Sequence, residues 1–238
     1  GIILAFVSDT PQSKGLPSIQ DISGEEVKAV DKLPTKEIQR FVLRQPAIWI
    51  IAISCAFINL TKYGIMEWGV LYLQGARSYS LETASWIIGF SAIFAIVGTI
   101  GAGWLSDTVF KGDRVRPALI SGFVSLAALG MFLLIDGDKW AMAAFVSIFS
   151  LAVGVLYCIV SGLMAIDIVP RKATGAALGI VGISSYMTIG IQNIVSGLLI
   201  DRFSVQNEYN FVPVSIFWLS AVLISFLLPV FNWKRMRK

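Results

Sequence analysis

Lys62 is the residue whose position most needs a reason. It stands in Asn59-Leu-Thr-Lys62-Tyr63-Gly-Ile-Met-Glu67-Trp68, near the middle of an apolar stretch long enough to cross a bilayer, where a charge costs at least ~3 kcal/mol on insertion scales. Two explanations compete. Such a cation serves an anionic ligand in a central cavity, or it is buried against a carboxylate, either Glu67 or one on a neighbouring span. Five residues of helix turn Glu67 about 140° away from Lys62, so a pair within the helix is poor, whereas Asn59, three residues earlier, shares the lysine's face. The spacing favours the anionic ligand, with Asn59 and Tyr63 beside the charge.

A second set of polar residues lies in a later apolar stretch. Gly182, Tyr186 and Asn193 repeat at four and seven residues and share one helical face, with Ser185 and Gln192 on the adjoining one. Such a stripe either holds helices together or offers Tyr186, Gln192 and Asn193 as hydrogen-bond donors to a ligand oxygen. Tyr157 is a weaker candidate of the same kind. The segment Gly103-Trp-Leu-Ser-Asp107-Thr-Val-Phe-Lys111-Gly-Asp-Arg114-Val-Arg116 puts a carboxylate at a helix end close to cations on a tight turn, and reads as a gate latch. Gly103, Asp107, Arg114 and Arg116 are its expected parts, with Glu67 counted among the gating residues.

Other chemistries are excluded by what the chain lacks. It contains no histidine, which removes Ser-His and Cys-His catalysis and the usual metal ligands. The two cysteines, Cys55 and Cys158, both fall within apolar stretches and read as small apolar residues. No enzymatic step, metal or cofactor is expected.

The elements that position these residues are transmembrane helices. The chain is 56% hydrophobic and 14% charged, against about 45–50% and about 25% for soluble domains, and its apolar residues gather into runs of about 20 or more, the length that spans ~30 Å of hydrocarbon. Strands of a β-barrel would alternate over about ten residues instead. Six spans are expected at about 46–73, 83–106, 117–136, 140–168, 173–200 and 212–232. Before them, residues 1–7 read as the end of a preceding transmembrane helix and residues 8–44 as a cytoplasmic linker with a short helix near 34–44; after residue 232 comes a basic cytoplasmic tail. The net charge of +4 does not point to nucleic acid, because the basic residues sit in loops between spans and not on one soluble face.

Orientation follows from those loops. With the linker inside, Lys14, Lys28, Lys32, Lys36, Arg40, Arg44, Lys111, Arg114, Arg116, Arg171, Lys172, Lys234, Arg235, Arg237 and Lys238 are cytoplasmic, against Arg77, Lys139 and Arg202 outside. The positive-inside rule then places both ends in the cytoplasm. An internal repeat is also visible: Gly103-Trp-Leu-Ser-Asp107 closes the second span and Gly197-Leu-Leu-Ile-Asp201 the fifth, 94 residues later and on the opposite side. Two three-helix units of inverted orientation would produce this arrangement.

Taken in order, these segments resemble the major facilitator superfamily, specifically its organophosphate:phosphate antiporter family of glycerol-phosphate and hexose-phosphate transporters. Asp9-Thr-Pro-Gln-Ser-Lys-Gly-Leu-Pro17 is similar to the segment after the family's sixth helix, Lys62-Tyr-Gly-Ile-Met-Glu-Trp68 to its seventh, and Gly103 through Arg114 to its loop between helices eight and nine. Pro170-Arg-Lys-Ala-Thr-Gly175 and Tyr186 resemble the tenth-to-eleventh loop and the eleventh helix. The resemblance implies an all-α membrane protein whose six helices, a 3+3 inverted repeat, form the C-terminal half of the fold. Six further N-terminal helices would complete it, in a bacterial cytoplasmic membrane. It implies exchange of an organophosphate for inorganic phosphate, with Lys62 at the position of a basic residue that binds the substrate's phosphate and Tyr186 matching a substrate-facing tyrosine. Lysine replaces the arginine of the glycerol-phosphate members, a point charge in place of a planar fork, and Ser91-Ala92 stands where several relatives carry a carboxylate. The same family includes sugar-phosphate sensors that signal to a partner kinase, so a sensor remains an alternative reading, as does another facilitator for organic anions.

Overall fold

The computed structural model describes Gly15 and residues 35–204 and 209–236. The expected helix end at 1–7, the linker before residue 35 apart from Gly15, and the last two residues of the basic tail lie outside the described residues. Among the described residues seven α-helices follow one another: α1 (Thr35–Arg44), α2 (Pro46–Arg77), α3 (Leu81–Trp104, continued by a π-helical turn, Leu105–Val109), α4 (Val115–Leu134), α5 (Lys139–Tyr157, continued through a π-helical stretch, Cys158–Met164, to Asp167), α6 (Thr174–Phe203, preceded by a 3-10 turn, Arg171–Ala173) and α7 (Val212–Met236). From α2 onward each is long and apolar enough to cross a membrane. The six expected spans are therefore all present. The first and fifth run on past their expected ends at residues 73 and 200, to Arg77 and Phe203, because the arginines there continue the helix into its polar border.

Local chemistry sets the ends. Pro46 opens α2, where a missing amide hydrogen costs nothing. Ser80 accepts a hydrogen bond from the Thr83 amide at the start of α3, and Asp138 accepts one from the Ala141 amide at the start of α5, each satisfying a donor that the helix leaves orphaned. Short connections between successive spans make neighbours antiparallel. The helix expected near 34–44 is α1, which buries Ile38 and Val42 and exposes Lys36, Arg40 and Arg44.

The packing carries the repeat seen in the sequence. The most extensive contacts are of α3 with α5 and of α6 with α2; the next are of α4 with α5 and of α7 with α2. Exchanging the first three spans with the last three turns each of these pairs into the other, and α4 with α7, and α2 with α5, into themselves. The two copies of the Gly-x-Leu-x-Asp pattern accordingly close α3 and α6 at opposite ends of the bundle. The central helices α2 and α5 are the most buried spans, whereas α3 and α6 are the least buried. Glycines let α3 and α5 touch backbone to backbone: a Cβ on Gly98 would lie 2.2 Å from the Leu151 carbonyl oxygen, and one on Gly154 2.4 Å from that of Ala95. Small residues at such crossings are how helices associate in lipid, where there is no hydrophobic drive between them.

Candidate functional site

Lys62 projects from the middle of α2, half-buried. Its ammonium lies 5.4 Å from the centroid of the Tyr63 ring and 5.5 Å from that of Tyr157 on α5, within the range of cation–π attraction. Among the described residues the ion pairs are Arg77–Asp136, Arg114–Asp107, Arg114–Asp167 and Arg116–Asp113, so no carboxylate neutralises Lys62 there. Glu67 is exposed and joins none of these pairs. Two phenols, Tyr63 of α2 and Tyr157 of α5, thus flank one cation. Tyr157 is the last residue before the π-helical stretch of α5, a local widening that recurs at functional sites. Beside the lysine a cavity of about 220 Å³ is lined by Tyr63, Ser91, Ala92, Phe149 and Ser150. Tyr186, 76% exposed, stands on the open face of α6.

The remaining expected ligands make hydrogen bonds within the bundle. Asn59 is buried and donates its amide hydrogen to the Cys55 carbonyl one turn back, at 2.9 Å. Gln192 is fully buried and donates to Ser196 Oγ at 3.1 Å, which also accepts from the indole of Trp218 on α7 at 3.1 Å. Gly64 on α2 leaves the space these two side chains occupy. Asn193 accepts a hydrogen bond from the Trp68 indole on α2 at 3.0 Å. The polar stripe of α6 thus divides: Tyr186 is exposed, while Asn193 fastens α6 to α2 and Gln192, through Ser196, supports its link to α7.

A larger cavity of about 620 Å³ lies at the far end of α2, between Tyr72, Arg77, Tyr209 and Phe211. Its cation is already engaged. Arg77 pairs with Asp136 and donates to the carbonyls of Leu133 at 3.1 Å and Ile135 at 3.1 Å, capping the end of α4, where a positive charge suits the helix dipole.

The latch residues meet at the opposite end. Arg114, with 15% of its side chain exposed, donates from Nη1 to Asp107 Oδ1 at 2.7 Å and to Ser106 Oγ at 2.7 Å, and from Nε to Asp167 Oδ2 at 3.2 Å. Burial opposes its charge, and the hydrogen bonds to Asp107 and Asp167 outweigh that, holding the guanidinium above its usual range. The turn that returns the chain to it uses left-handed backbone at Lys111 and Gly112. Arg116 is outside this knot and pairs locally with Asp113 at 3.2 Å; Gly103, on α3, packs against nothing. Glu67, more than halfway along α2 towards Arg77, is not brought to the latch. Asp167 was not among the expected residues. Its signal in the sequence is slight: a lone acid closing the fourth span, three residues before Pro170.

Comparison with known proteins gives the family. The sequence pattern of the Major Facilitator Superfamily matches residues 1–166. The chain is 33% identical to the glycerol-3-phosphate transporter of Bacillus subtilis (strain 168), over 98% of this chain and 52% of the relative. It is 32% identical to the hexose-6-phosphate:phosphate antiporter of Salmonella typhimurium (strain LT2), over 77% and 41%, and 27% identical to the membrane sensor protein UhpC of Escherichia coli (strain K12), over 98% and 54%. The chain spans about half the length of the curated relatives it matches. With six spans packed as two exchanged triplets and relatives of this kind along its whole length, the chain belongs to the major facilitator superfamily, in its organophosphate:phosphate antiporter family.

Proposed function

We propose that this bundle is one half of a secondary transporter that exchanges an organophosphate for inorganic phosphate by alternating access, with Lys62 holding the phosphate. The observation that carries the reading is the Lys62 ammonium at mid-span, set over two tyrosine rings and unpaired with any carboxylate among the described residues. A phosphate carrying about −1.5 to −2 charges would supply the missing counter-charge, and the phenols of Tyr63, Tyr157 and Tyr186 would donate to its oxygens. The more exposed spans, α3 and α6, flank α2. A second six-helix unit closing over them would complete the cavity, and rocking of the two units would expose it to either side. The three phosphate-transporting or sensing relatives named above support the substrate class. We place the protein in a bacterial cytoplasmic membrane, with α1 and the end of α7 on the cytoplasmic side by the positive-inside rule.

Phosphate exchange by the full-length protein in proteoliposomes tests this. Lys62→Ala is expected to abolish exchange while leaving membrane insertion intact, and Lys62→Arg to keep part of it, because charge survives while hydrogen-bond geometry changes. Wild-type exchange by Lys62→Ala would overturn the assignment. The UhpC likeness supports a second reading, a sensor with the same pocket. It predicts phosphate-dependent signalling without uptake of labelled substrate.

A further inference from the structure

A second binding surface lies where α3 and α5 begin, away from the Lys62 cavity. Trp86 and Phe90 on α3 stack with their rings 5.1 Å apart and 7° from parallel, Phe94 continues the row at 5.4 Å, and Trp140 of α5 meets Trp86 edge-on at 5.6 Å. Trp86 is 45% and Trp140 62% exposed. Beneath them Phe90, Phe94, Ala143, Ala144 and Ile148 line an apolar groove of about 370 Å³. Above them a cavity of about 310 Å³ is bounded by Glu82, Thr83, Lys139 and the same two tryptophans. The ammonium of Lys139 sits 5.5 Å from the Trp140 ring centroid, and neither Glu82 nor Lys139 takes part in the ion pairs given above, so two opposite charges face one cavity without neutralising each other. Both belong to the first turn of a transmembrane helix, the depth of lipid headgroups, where tryptophan is the residue of the interface.

We propose that this surface binds one zwitterionic phospholipid of the phosphatidylethanolamine type, with its phosphate on Lys139, its ammonium on Glu82 and an acyl chain along the Trp86–Phe94 groove. The depth order fits: a two-signed mouth, then an aromatic collar, then a channel about 12 Å long down α3 from Trp86 to Phe94, apolar but for the Ser147 hydroxyl on its α5 side. An anionic lipid would satisfy Lys139 and be repelled by Glu82. A lipid lacking charge on its headgroup would satisfy neither.

Native mass spectrometry of the full-length protein, released from nanodiscs of equal phosphatidylethanolamine and phosphatidylglycerol, is the test. The wild type is expected to retain one phosphatidylethanolamine in preference to phosphatidylglycerol. E82Q should weaken retention of phosphatidylethanolamine about fivefold and spare phosphatidylglycerol, whereas K139Q should weaken both by about fivefold. Phosphatidylethanolamine with brominated acyl chains should quench tryptophan fluorescence less in W86F, which keeps an aromatic ring in the groove and guards against misfolding as the cause of lipid loss. Equal retention of the two lipids by the wild type, unchanged retention in both charge variants, or the second six-helix unit or another copy of the protein covering the groove in place of lipid would overturn the proposal.

Discussion

Arg114 is the residue through which two carboxylates from different halves of the repeat are joined, since Asp107 closes α3 and Asp167 closes α5. Asp107 is 63% and Asp167 39% exposed, so water screens each pair and each contributes about 0.2–1 kcal/mol. That suits the proposed transport cycle, in which this contact would be made and broken at each turn. Asp107→Asn is expected to slow turnover in an exchange assay more than it raises KM, because the pair touches no ligand. Asp167→Asn should act in the same direction, and the double variant should fall short of the sum, since both share one guanidinium. Equal effects on KM alone would contradict this. Lys62, Asp107 and Arg114 were legible in the sequence because a charge in or beside an apolar run is costly and so conspicuous. Asp167 was not, because an acid at a span end is ordinary and its partner lies 53 residues away. The division of the α6 stripe was equally hidden. Periodicity gives one face for Tyr186 and Asn193 and the adjoining one for Gln192, but not that α2 and α7 pack there about two turns beyond Tyr186.

At the scale of the helix, the spans could be read directly, since hydrophobic length acts locally, whereas the caps Ser80 and Asp138 were first seen in the structure. The crossing of α3 and α5 could not, because a glycine in a membrane helix does not announce which neighbour uses it. The structure makes the distinction testable. Gly154→Val places side-chain carbon where the Ala95 carbonyl oxygen lies; backbone must move, and overpacking of this kind costs about 1–3 kcal/mol. A lower unfolding temperature in a detergent-stable preparation is the expected result, and Gly98→Val should behave alike. Gly182→Ala, which meets nothing within 4 Å, should leave the temperature unchanged. Matching losses in all three would mean that the crossing is not responsible.

For the whole molecule, insertion and transport separate. Six sufficiently apolar spans and a strong charge bias suffice for insertion, so the 238-residue chain expressed alone is expected to insert with both ends on the cytoplasmic side, as labelling of single loop cysteines in a background without Cys55 and Cys158 would report. Transport needs a second wall over Lys62, and without one the half-buried cation should drive instability or self-association; saturable phosphate-coupled uptake by the isolated chain would refute the two-unit reading. The unequal lengths of the spans have a further consequence. With 32 residues α2 reaches about 48 Å, whereas the 20 residues of α4 reach about 30 Å, the thickness of the hydrocarbon core itself. In a thicker bilayer α2 can stand more upright, but α4 has no length in reserve and is drawn inward from its ends. One of those ends is Arg114. Membrane thickness is thus a mechanical load on the knot of Asp107, Arg114 and Asp167, and lengthening the acyl chains of the surrounding lipid should loosen it before any span is displaced.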